Sequence, residues 1–290
     1  MFFRGIIKGT FLDKHTKSPL RQWIKNRLVN MTGNYSTQYL LEEIVQTIHM
    51  LQGLGSGTEV HSSGERILFH VLKQCVMPPY CIIDVGANRG QFLQLALDNL
   101  SEFETFVHCF EPAAETFKCL HDSYSDYDRI ILNNCGIAKE KGIATLYYDD
   151  PCSGFASLTN RKLDHHGIQF NSSEAITITT IDDYCFENSI NYISLLKIDI
   201  EGHEFDALNG TRKMFENNAV GIVSFEFGGC NVDTRTFFQD FWCFFDKYNM
   251  KLFRITPSGF LYPIESYNEI HERMKIANFM AVSPVLKYPL

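Results

Sequence analysis

The stretch Cys81-Ile82-Ile83-Asp84-Val85-Gly86-Ala87-Asn88-Arg89-Gly90-Gln91-Phe92 decides the fold class of this chain. Its pattern predicts a short buried strand over residues 81–85, a glycine turn, and a helix that begins near Gln91. Gly86 has no Cβ and permits a sharp turn, while Gly90 permits a close approach at the start of the helix. In open α/β sheets, ligands bind beyond the carboxyl ends of the strands, where free helical N–H groups also lie. The stretch therefore predicts a nucleotide-type binding site.

The spacing of this turn narrows the type of ligand. It reads D-x-G-x-x-x-G, with Asn88 where the dinucleotide-binding pattern G-x-G-x-x-G has a middle glycine. It also lacks the G-x-x-x-x-G-K-[ST] pattern of a P-loop. Asp84, at the end of the strand, is a poor neighbour for phosphate, but it suits an ammonium group such as that of the methionine part of S-adenosylmethionine. The alternative interpretation is an ordinary strand-to-helix turn.

Near-continuous apolar runs alternate with helical segments along the rest of the chain. Such runs are typical of parallel strands that are buried on both faces. The predicted strands lie near residues 81–85, 106–110, 130–135, 193–199 and 221–227. The predicted helices lie near residues 91–100, 113–122, 204–217 and 234–248. This alternation predicts an open α/β sheet that is mostly parallel.

Two segments depart from this alternation. Between residues 136 and 192, strands are predicted near 144–148 and 176–180, on either side of the polar stretch 152–173. That stretch is a candidate loop on the substrate side, because binding residues often lie on loops held by a rigid scaffold. In the tail, residues 251–255 and 279–283 are predicted to form a final pair of strands joined by a long loop.

Residues 1–79 are predicted to be mainly helical. Leu41, Ile44 and Val45 begin an apolar series at helical spacing, and glycines between residues 53 and 57 then interrupt the chain. Ser62 and Glu65 form a possible capping box before the next helix. We therefore predict an N-terminal helical cap over residues 1–79 and a single domain over residues 80–290 that contains the candidate active site.

Composition excludes several classes of protein. The formal net charge of −8 argues against nucleic-acid binding, which requires a basic surface. The nine cysteines are odd in number and include no C-x-x-C pair, which favours a reducing compartment without disulfides or a cysteine zinc site. No signal-peptide h-region and no run of about 18 apolar residues is found, so a cytoplasmic protein without a membrane span is expected.

The second predicted strand ends in Phe110-Glu111-Pro112. A carboxylate at this position of such a sheet can accept both ribose hydroxyls of an adenosine. The alternative is that Glu111 stabilises the start of the next helix through the helix macrodipole. After the third strand, Asn134 is placed to contact adenine, although Asn in a turn is usually structural.

The second strong motif is Leu196-Lys197-Ile198-Asp199-Ile200-Glu201-Gly202-His203-Glu204. It places several ionisable groups at the carboxyl end of a buried strand, which favours shifted pKa values and acid–base chemistry. The alternative is that Glu201, His203 and Glu204 only cap the next helix. Asp199, Glu201 and His203 could also ligate a metal, but no second spaced cluster completes the set, so no metal is predicted. Ser157 and Cys152 lack the context of a catalytic nucleophile.

These motifs together resemble the FkbM family of S-adenosylmethionine-dependent methyltransferases over residues of about 80–283. The resemblance is carried by Ile83-Asp84-Val85-Gly86-Ala87-Asn88-Arg89-Gly90, Phe110-Glu111-Pro112, Gly154-Phe155-Ala156-Ser157-Leu158, Thr180-Ile181-Asp182-Asp183-Tyr184, Leu196 to Glu204, and Ser224-Phe225-Glu226-Phe227. It implies a Rossmann-like class I methyltransferase fold, in which helices cover both faces of a seven-stranded sheet. It also implies S-adenosylmethionine as the donor and a hydroxyl oxygen as the usual acceptor. The chain departs from the family at Cys135-Gly136-Ile137, where V-A-L is typical.

The predicted function is therefore methyl transfer to a hydroxyl of a sugar, glycan or small metabolite. The predicted cofactor-binding residues are Asp84, Gly86, Asn88, Gly90, Phe92, Glu111, Pro112, Asn134, Gly136 and Asp199. A side chain added at Gly86 is expected to occupy volume that the cofactor needs while leaving the fold mostly intact. The predicted catalytic residues are His203, Glu201 and Asp199, of which His203 and Glu201 rank first as the general base. Removal of the hydroxyl proton by such a base increases the reaction rate by about 10²–10⁴-fold. A catalytically silent cofactor-binding scaffold is the alternative, and the missing G-x-G-x-x-G argues against a dehydrogenase.

Overall fold

The computed structural model describes residues 19–55 and 63–288 of the chain. The chain divides into two compact units, Met1–His49 and Met50–Leu290. The first unit contains helix α1 (Pro19–Met31) and most of α2 (Tyr35–Leu51). The side chain of Asn34 accepts a hydrogen bond from the Thr37 amide at 2.9 Å, as expected of a residue that caps a helix N-terminus. Ser62 of the predicted capping box lies outside the described residues.

The second unit alternates strands and helices, as the apolar runs predict. Its helices are α3 (Arg66–Cys75), α4 (Gln91–Leu100), α5 (Ala114–Tyr124), α6 (Ile181–Glu187), α7 (Glu204–Asn209), α8 (Arg212–Glu216), α9 (Cys230–Thr234) and α10 (Phe238–Lys247). Its strands are β1 (Tyr80–Val85), β2 (Thr105–Phe110), β3 (Ile130–Asn133), β4 (Gly136–Ile137), β5 (Gly142–Tyr148), β6 (Ser172–Thr179), β7 (Ile193–Ile198), β8 (Val220–Phe227), β9 (Lys251–Ile255), β10 (Leu261–Ile264) and β11 (Ala277–Val282). Among the described helices, none has the length and apolarity needed to cross a membrane.

Eight of the described strands form one large sheet in the order β10-β9-β11-β8-β7-β1-β2-β3. The five strands from β8 to β3 pair in parallel, and β11 pairs antiparallel with β8. This confirms the predicted α/β fold with a mostly parallel sheet. The sheet has eight strands rather than seven, because the predicted long loop in the tail contains β10, which pairs with β9. Pro263 lies within β10 and cannot donate to a ladder, so this strand fits only an edge and is difficult to predict.

The described strands β4, β6 and β5 form a second, smaller sheet in that order. Strand β5 contains the predicted segment 144–148, β6 contains all of the predicted segment 176–180 except Thr180, and the two strands pair in an antiparallel manner. The chain between them, residues 149–171, contains most of the predicted substrate-side loop. Ser157 in this loop forms an isolated bridge with Tyr147 of β5, which attaches the loop to the small sheet.

The central strands are mostly apolar because helices cover both faces of the sheet. Leu195 of β7 packs in the cluster that includes α3 and α4, whereas the next residue, Leu196, packs with α6, α7 and α10 on the opposite face. Adjacent residues of a strand point to opposite faces, so both must be apolar when both faces are covered. On the second face, Phe225 stacks on Phe241 with ring centroids 4.8 Å apart.

Two predicted helices have different bounds in the structure. The predicted helix over residues 204–217 is divided into α7 and α8 at Gly210. A Cβ at Gly210 would lie 2.3 Å from the Ala138 carbonyl oxygen, so the break permits close packing against the chain after β4. The predicted helix over residues 234–248 begins later, as α10 at Phe238, because α9 ends at Thr234. Arg235, directly after α9, has a φ of 57°, a left-handed conformation that ends a helix.

Candidate active site

A cavity of about 740 Å³ opens at the carboxyl ends of β1, β2, β7 and β8. It is also lined by part of the substrate-side loop, residues 153–158. Most of the residues predicted from sequence line this one cavity: Asp84, Gly86, Asn88, Gly90, Phe92, Glu111, Pro112, Gly136, Asp199, Glu201 and His203. The cavity therefore combines the first strand–turn–helix motif with the acidic end of β7.

Asn134 is the predicted cofactor residue that does not line the cavity. Its side-chain amide donates hydrogen bonds to the carbonyl oxygens of Glu111 at 3.0 Å and Pro112 at 3.1 Å. The predicted placement beside the ligand is thus corrected. In this structure Asn134 supports the turn that carries Glu111, which is the structural use of Asn in a turn.

The turn after β1 requires both of its glycines, for different reasons. Gly86 has a φ of 84°, and a Cβ at this position would lie 1.9 Å from the Asp199 carbonyl oxygen. Gly90 has a φ of 91°, and a Cβ there would lie 2.5 Å from the ring of Tyr124 on α5. Gly86 thus allows the ends of β1 and β7 to meet, and Gly90 allows α5 to pack against the start of α4.

Glu111 is held by two backbone amides at the end of β2. Its carboxylate accepts hydrogen bonds from the Asn88 and Ala113 N–H groups, each at 2.9 Å. The hydrogen bond from Ala113, just before α5, is the contact expected if Glu111 stabilises the start of that helix, which was the alternative interpretation of this residue. Each carboxylate oxygen retains further acceptor capacity toward the cavity. Burial raises the pKa of Glu111 to about 7, although the two backbone hydrogen bonds oppose this rise.

Asp84, Lys197 and Glu65 form a buried charged group behind the turn. Lys197 Nζ lies 2.9 Å from Asp199 Oδ2 and 3.6 Å from Glu65 Oε1. Burial lowers the pKa of Lys197, but the charges of Asp199 and Glu65 outweigh this and raise it. Asp84 is only 1% exposed, and its Oδ2 has no hydrogen-bond partner among the described residues. Burial raises the pKa of Asp84 to about 7.

Glu65 was missed as a site residue by the sequence analysis. It is the residue before α3, and its side chain makes no capping hydrogen bond to the helix. Ser63 donates a hydrogen bond to it at 2.8 Å, and its other oxygen faces Lys197. The sequence signal was only a Ser-x-x-Glu pattern, which more often marks a helix start.

The turn after β7 is fixed by Glu204. Its buried carboxylate accepts hydrogen bonds from the amides of Ile200 and Gly202, both at 3.0 Å. The structural interpretation of Glu204 is therefore correct. In this turn Glu201 has a φ of 54°, and its side chain lines the cavity.

The substrate-side loop is anchored to the same turn. Ser157 donates a hydrogen bond to the Glu201 carbonyl oxygen at 2.9 Å. Arg161, which is buried, forms an ion pair with Glu201, and its Nε lies 3.5 Å from Asp233 of α9. Arg161 was not singled out from the sequence, where it is one basic residue within a polar stretch.

His203 uses both ring nitrogens. Nδ1 lies 2.9 Å from Asp206 Oδ2, and Nε2 lies 3.0 Å from the hydroxyl of Thr159 in the substrate-side loop. The hydrogen bond from His203 lowers the pKa of Asp206. Because a carboxylate only accepts hydrogen bonds, Nδ1 carries a proton and Nε2 of the neutral ring is the acceptor. The pair with Asp206 thus orients the imidazole.

Glu226, at the end of β8, is the fourth carboxylate at this edge of the sheet. It is 6% exposed, lines the cavity, and makes no hydrogen bond or ion pair with any described residue. Burial, followed by the charges of Asp199 and Glu201, raises the pKa of Glu226 well above its usual value. One oxygen each from Asp199, Glu201 and Glu226 lie within 4.8 Å of one another.

Residues 84–252 match the family described as methyltransferase FkbM domain. The 2-O-methyltransferase NoeI of Sinorhizobium fredii (strain NBRC 101917 / NGR234) is 20% identical over 190 residues, which cover 62% of this chain and 76% of that protein.

Two solved structures are also similar to the chain. The FkbM methyltransferase from Methylobacillus flagellatus KT has a TM-score of 0.43 and 16% identity, over 82% of this chain and 60% of that one. The match thus spans less than two thirds of that structure. An O-methyltransferase from Bacillus cereus, in complex with SAH, has a TM-score of 0.40 and 13% identity, over 91% of this chain and 97% of that one. Since the family match covers more than half of the sequence, including both strand-end motifs of the cavity, the chain belongs to the FkbM family of S-adenosylmethionine-dependent methyltransferases.

Proposed function

We propose that the protein transfers a methyl group from S-adenosylmethionine to a hydroxyl oxygen of a sugar, glycan or other small metabolite. The observation that carries this proposal is that a single cavity joins groups suited to the cofactor with acids and an imidazole at the ends of β7 and β8. The relative named as a 2-O-methyltransferase and the Bacillus cereus O-methyltransferase support oxygen as the acceptor atom. A cytoplasmic location is supported by nine cysteines that are all free thiols.

The residues of the first half of the cavity fit the cofactor. The unpartnered Oδ2 of Asp84 is a buried acceptor of the kind that an ammonium group would satisfy. Glu111, held by two amides, presents its remaining acceptor capacity to a pair of ribose hydroxyls. When bound, S-adenosylmethionine supplies an activated methyl group on a sulfonium.

The second half of the cavity binds and deprotonates the acceptor in this proposal. Asp199 and Glu201 accept hydrogen bonds from acceptor hydroxyls and fix their position, and correct positioning can supply about 7–11 kcal/mol. His203 takes the hydroxyl proton at Nε2, because Nδ1 already carries a proton that it donates in a hydrogen bond to Asp206. The Thr159 hydroxyl, 3.0 Å from Nε2, supports the assignment because an alcohol already occupies that hydrogen-bonding position.

Incubation with S-adenosylmethionine and fractionated cell extracts, followed by mass spectrometry, tests this function. We expect a product that is one methyl group heavier than a hydroxyl-bearing compound and stable to conditions that hydrolyse methyl esters. Binding of S-adenosylmethionine without methylation in any fraction would favour the silent scaffold. Methylation of a nitrogen or a carboxylate would overturn the hydroxyl assignment.

Glu111→Gln is expected to weaken S-adenosylmethionine binding by at least tenfold. The amide keeps the size of the side chain but removes the charge, and hydrogen bonds to charged groups contribute about 1.5–3 kcal/mol. Isothermal titration calorimetry measures the change. Glu115→Gln is the matched control, because Glu115 is an exposed acid in the first turn of α5 and does not line the cavity. Equal affinity in Glu111→Gln and wild type would remove Glu111 from the site.

The affinity for S-adenosylmethionine is expected to fall as the pH falls below about 7. Burial raises the pKa of Glu111 to about 7, and the nearby charge of Glu174 acts in the same direction. The ionised carboxylate accepts hydrogen bonds from the ribose hydroxyls. The affinity for S-adenosylmethionine is therefore highest above this pKa and decreases by up to about tenfold per pH unit below it. Titrations at several pH values should show a weaker dependence in Glu111→Gln. An unchanged dependence in that variant would assign it to other groups.

A further inference from the structure

Three carboxylates converge at the acceptor end of the cavity, from two neighbouring strand ends. Asp199 and Glu201 follow β7, and Glu226 is near the end of β8. One oxygen from each lies within 4.8 Å of the others. Oxygens bound to one ion are separated by at most twice the metal–oxygen distance, which is about 4.1 Å for Mg²⁺ and about 5 Å for Ca²⁺. The upper bound of 4.8 Å fits an ion of the size of Ca²⁺, and a smaller ion such as Mg²⁺ requires the three side chains to move closer together.

Each of these carboxylates retains an oxygen without a described protein partner. Asp199 uses Oδ2 for Lys197, and Glu201 uses Oε2 for Arg161, which leaves Oδ1 and Oε1 respectively. Glu226 has neither oxygen in a described hydrogen bond or ion pair, although the residue is only 6% exposed. A buried polar group without a partner is costly, so an ion at this position would satisfy Glu226.

The charges around the cluster also favour a cation. Six carboxylates line the cavity: Glu65, Asp84, Glu111, Asp199, Glu201 and Glu226. Their described ion pairs involve two cations, Lys197 and Arg161. The acids thus outnumber the cations paired with them, and a bound cation would reduce the repulsion among Asp199, Glu201 and Glu226.

We propose that Asp199, Glu201 and Glu226 bind one divalent cation of the oxygen-preferring class, such as Mg²⁺ or Mn²⁺. The sequence analysis predicted no metal because Asp199, Glu201 and His203 lacked a completing ligand. In the structure His203 is held by Asp206 and Thr159, and Glu226 takes the third position.

The role of this ion rests on the proposed function and specifies its substrate class. An octahedral ion with one oxygen from each of three carboxylates keeps three open positions. Two adjacent hydroxyls can occupy two of them, so the site would favour an acceptor with a vicinal diol, as in many sugars. Coordination lowers the pKa of a bound hydroxyl and orients it, which assists proton removal by His203.

Direct metal binding tests the proposal without requiring an acceptor. The folded protein is treated with EDTA, freed of chelator, and titrated with MnCl₂, MgCl₂ or CaCl₂ by calorimetry, with Mn²⁺ also followed by electron paramagnetic resonance. We expect one site in the wild type and at least about tenfold weaker binding in Glu226→Gln. Glu216→Gln, a change at an exposed acid on α8, should bind as the wild type does. Thermal denaturation establishes that each variant is folded.

The outcomes separate this proposal from the proposed function. No binding of any of the three ions at millimolar concentration, or equal binding by Glu226→Gln and wild type, would overturn the metal site. Undiminished methyl transfer in EDTA would overturn its catalytic role while leaving the methyltransferase function intact. A metal site that binds as expected, in a protein that methylates only a nitrogen or a carboxylate, would instead overturn the hydroxyl assignment.

Discussion

Gly86→Ala is expected to destabilise the second unit by more than about 4 kcal/mol, and Gly86→Val by more. The added Cβ would lie 1.9 Å from the Asp199 carbonyl oxygen and 3.1 Å from the side chain of Ile200. The φ of 84° adds strain of about 1–3 kcal/mol for a residue with a side chain. Because the contact is with backbone at the meeting point of β1 and β7, no rotation of a side chain relieves it.

Chemical denaturation followed by circular dichroism measures this loss. A typical domain is stable by about 5–15 kcal/mol, so the expected loss removes a large fraction of the free energy of unfolding and lowers the denaturation midpoint strongly. Gly142→Ala is the matched control, because Gly142 has no atom within 4 Å of an added Cβ and does not have a positive φ. If Gly86→Ala were as stable as Gly142→Ala, the close approach of the two strand ends would be wrong.

This prediction also shows where sequence reasoning reached the right residue for an incomplete reason. The motif around Gly86 predicts a turn and a ligand, and it led to the expectation that a side chain would displace the cofactor and leave the fold mostly intact. The backbone contact opposes the second part of that expectation. The structure places the Asp199 backbone in that space. A contact between residues 113 positions apart depends on how two strands pair, which local spacing does not encode.

The strands and the ligand-facing ends were predictable because both follow local rules. Buried parallel strands are mostly apolar, and polar residues at or just after their carboxyl ends must lie at one edge of the sheet. Asp84, Glu111 and Asp199 follow that rule, and all three line the cavity. Arg161 and Glu65 follow no such rule, since their ion pairs join a loop or a helix start to a strand end far away in the sequence.

The catalytic prediction shows a related limit. Sequence alone places His203 beside two acids, but it does not show which nitrogen is available. In the structure, Nδ1 contacts Asp206, one helical turn further along, and Nε2 contacts Thr159 in the substrate-side loop. These two contacts identify Nε2 as the nitrogen that can accept a proton. The orientation of the imidazole can be tested separately from its presence.

His203→Gln is expected to lower kcat by about 10²-fold or more, with little change in the affinity for S-adenosylmethionine. Glutamine retains a polar side chain but cannot accept a proton from a hydroxyl. Asp206→Asn is expected to lower kcat to a smaller extent, because the amide no longer holds the imidazole in the form that leaves Nε2 as an acceptor. Steady-state kinetics with the acceptor identified by mass spectrometry measure both effects. His121→Gln, at an exposed position on α5, is the control.

Thr159→Val distinguishes a base from a residue that only anchors the loop. The change removes the hydroxyl that contacts His203 Nε2 but leaves the imidazole and Asp206 in place. If His203 acts by holding the loop, Thr159→Val and His203→Gln should impair turnover to a similar degree. If His203 is the base, Thr159→Val should retain most of the activity, because the acceptor hydroxyl takes the position that the threonine hydroxyl leaves. Wild-type turnover in His203→Gln would remove His203 from catalysis and leave Glu201 as the remaining predicted base.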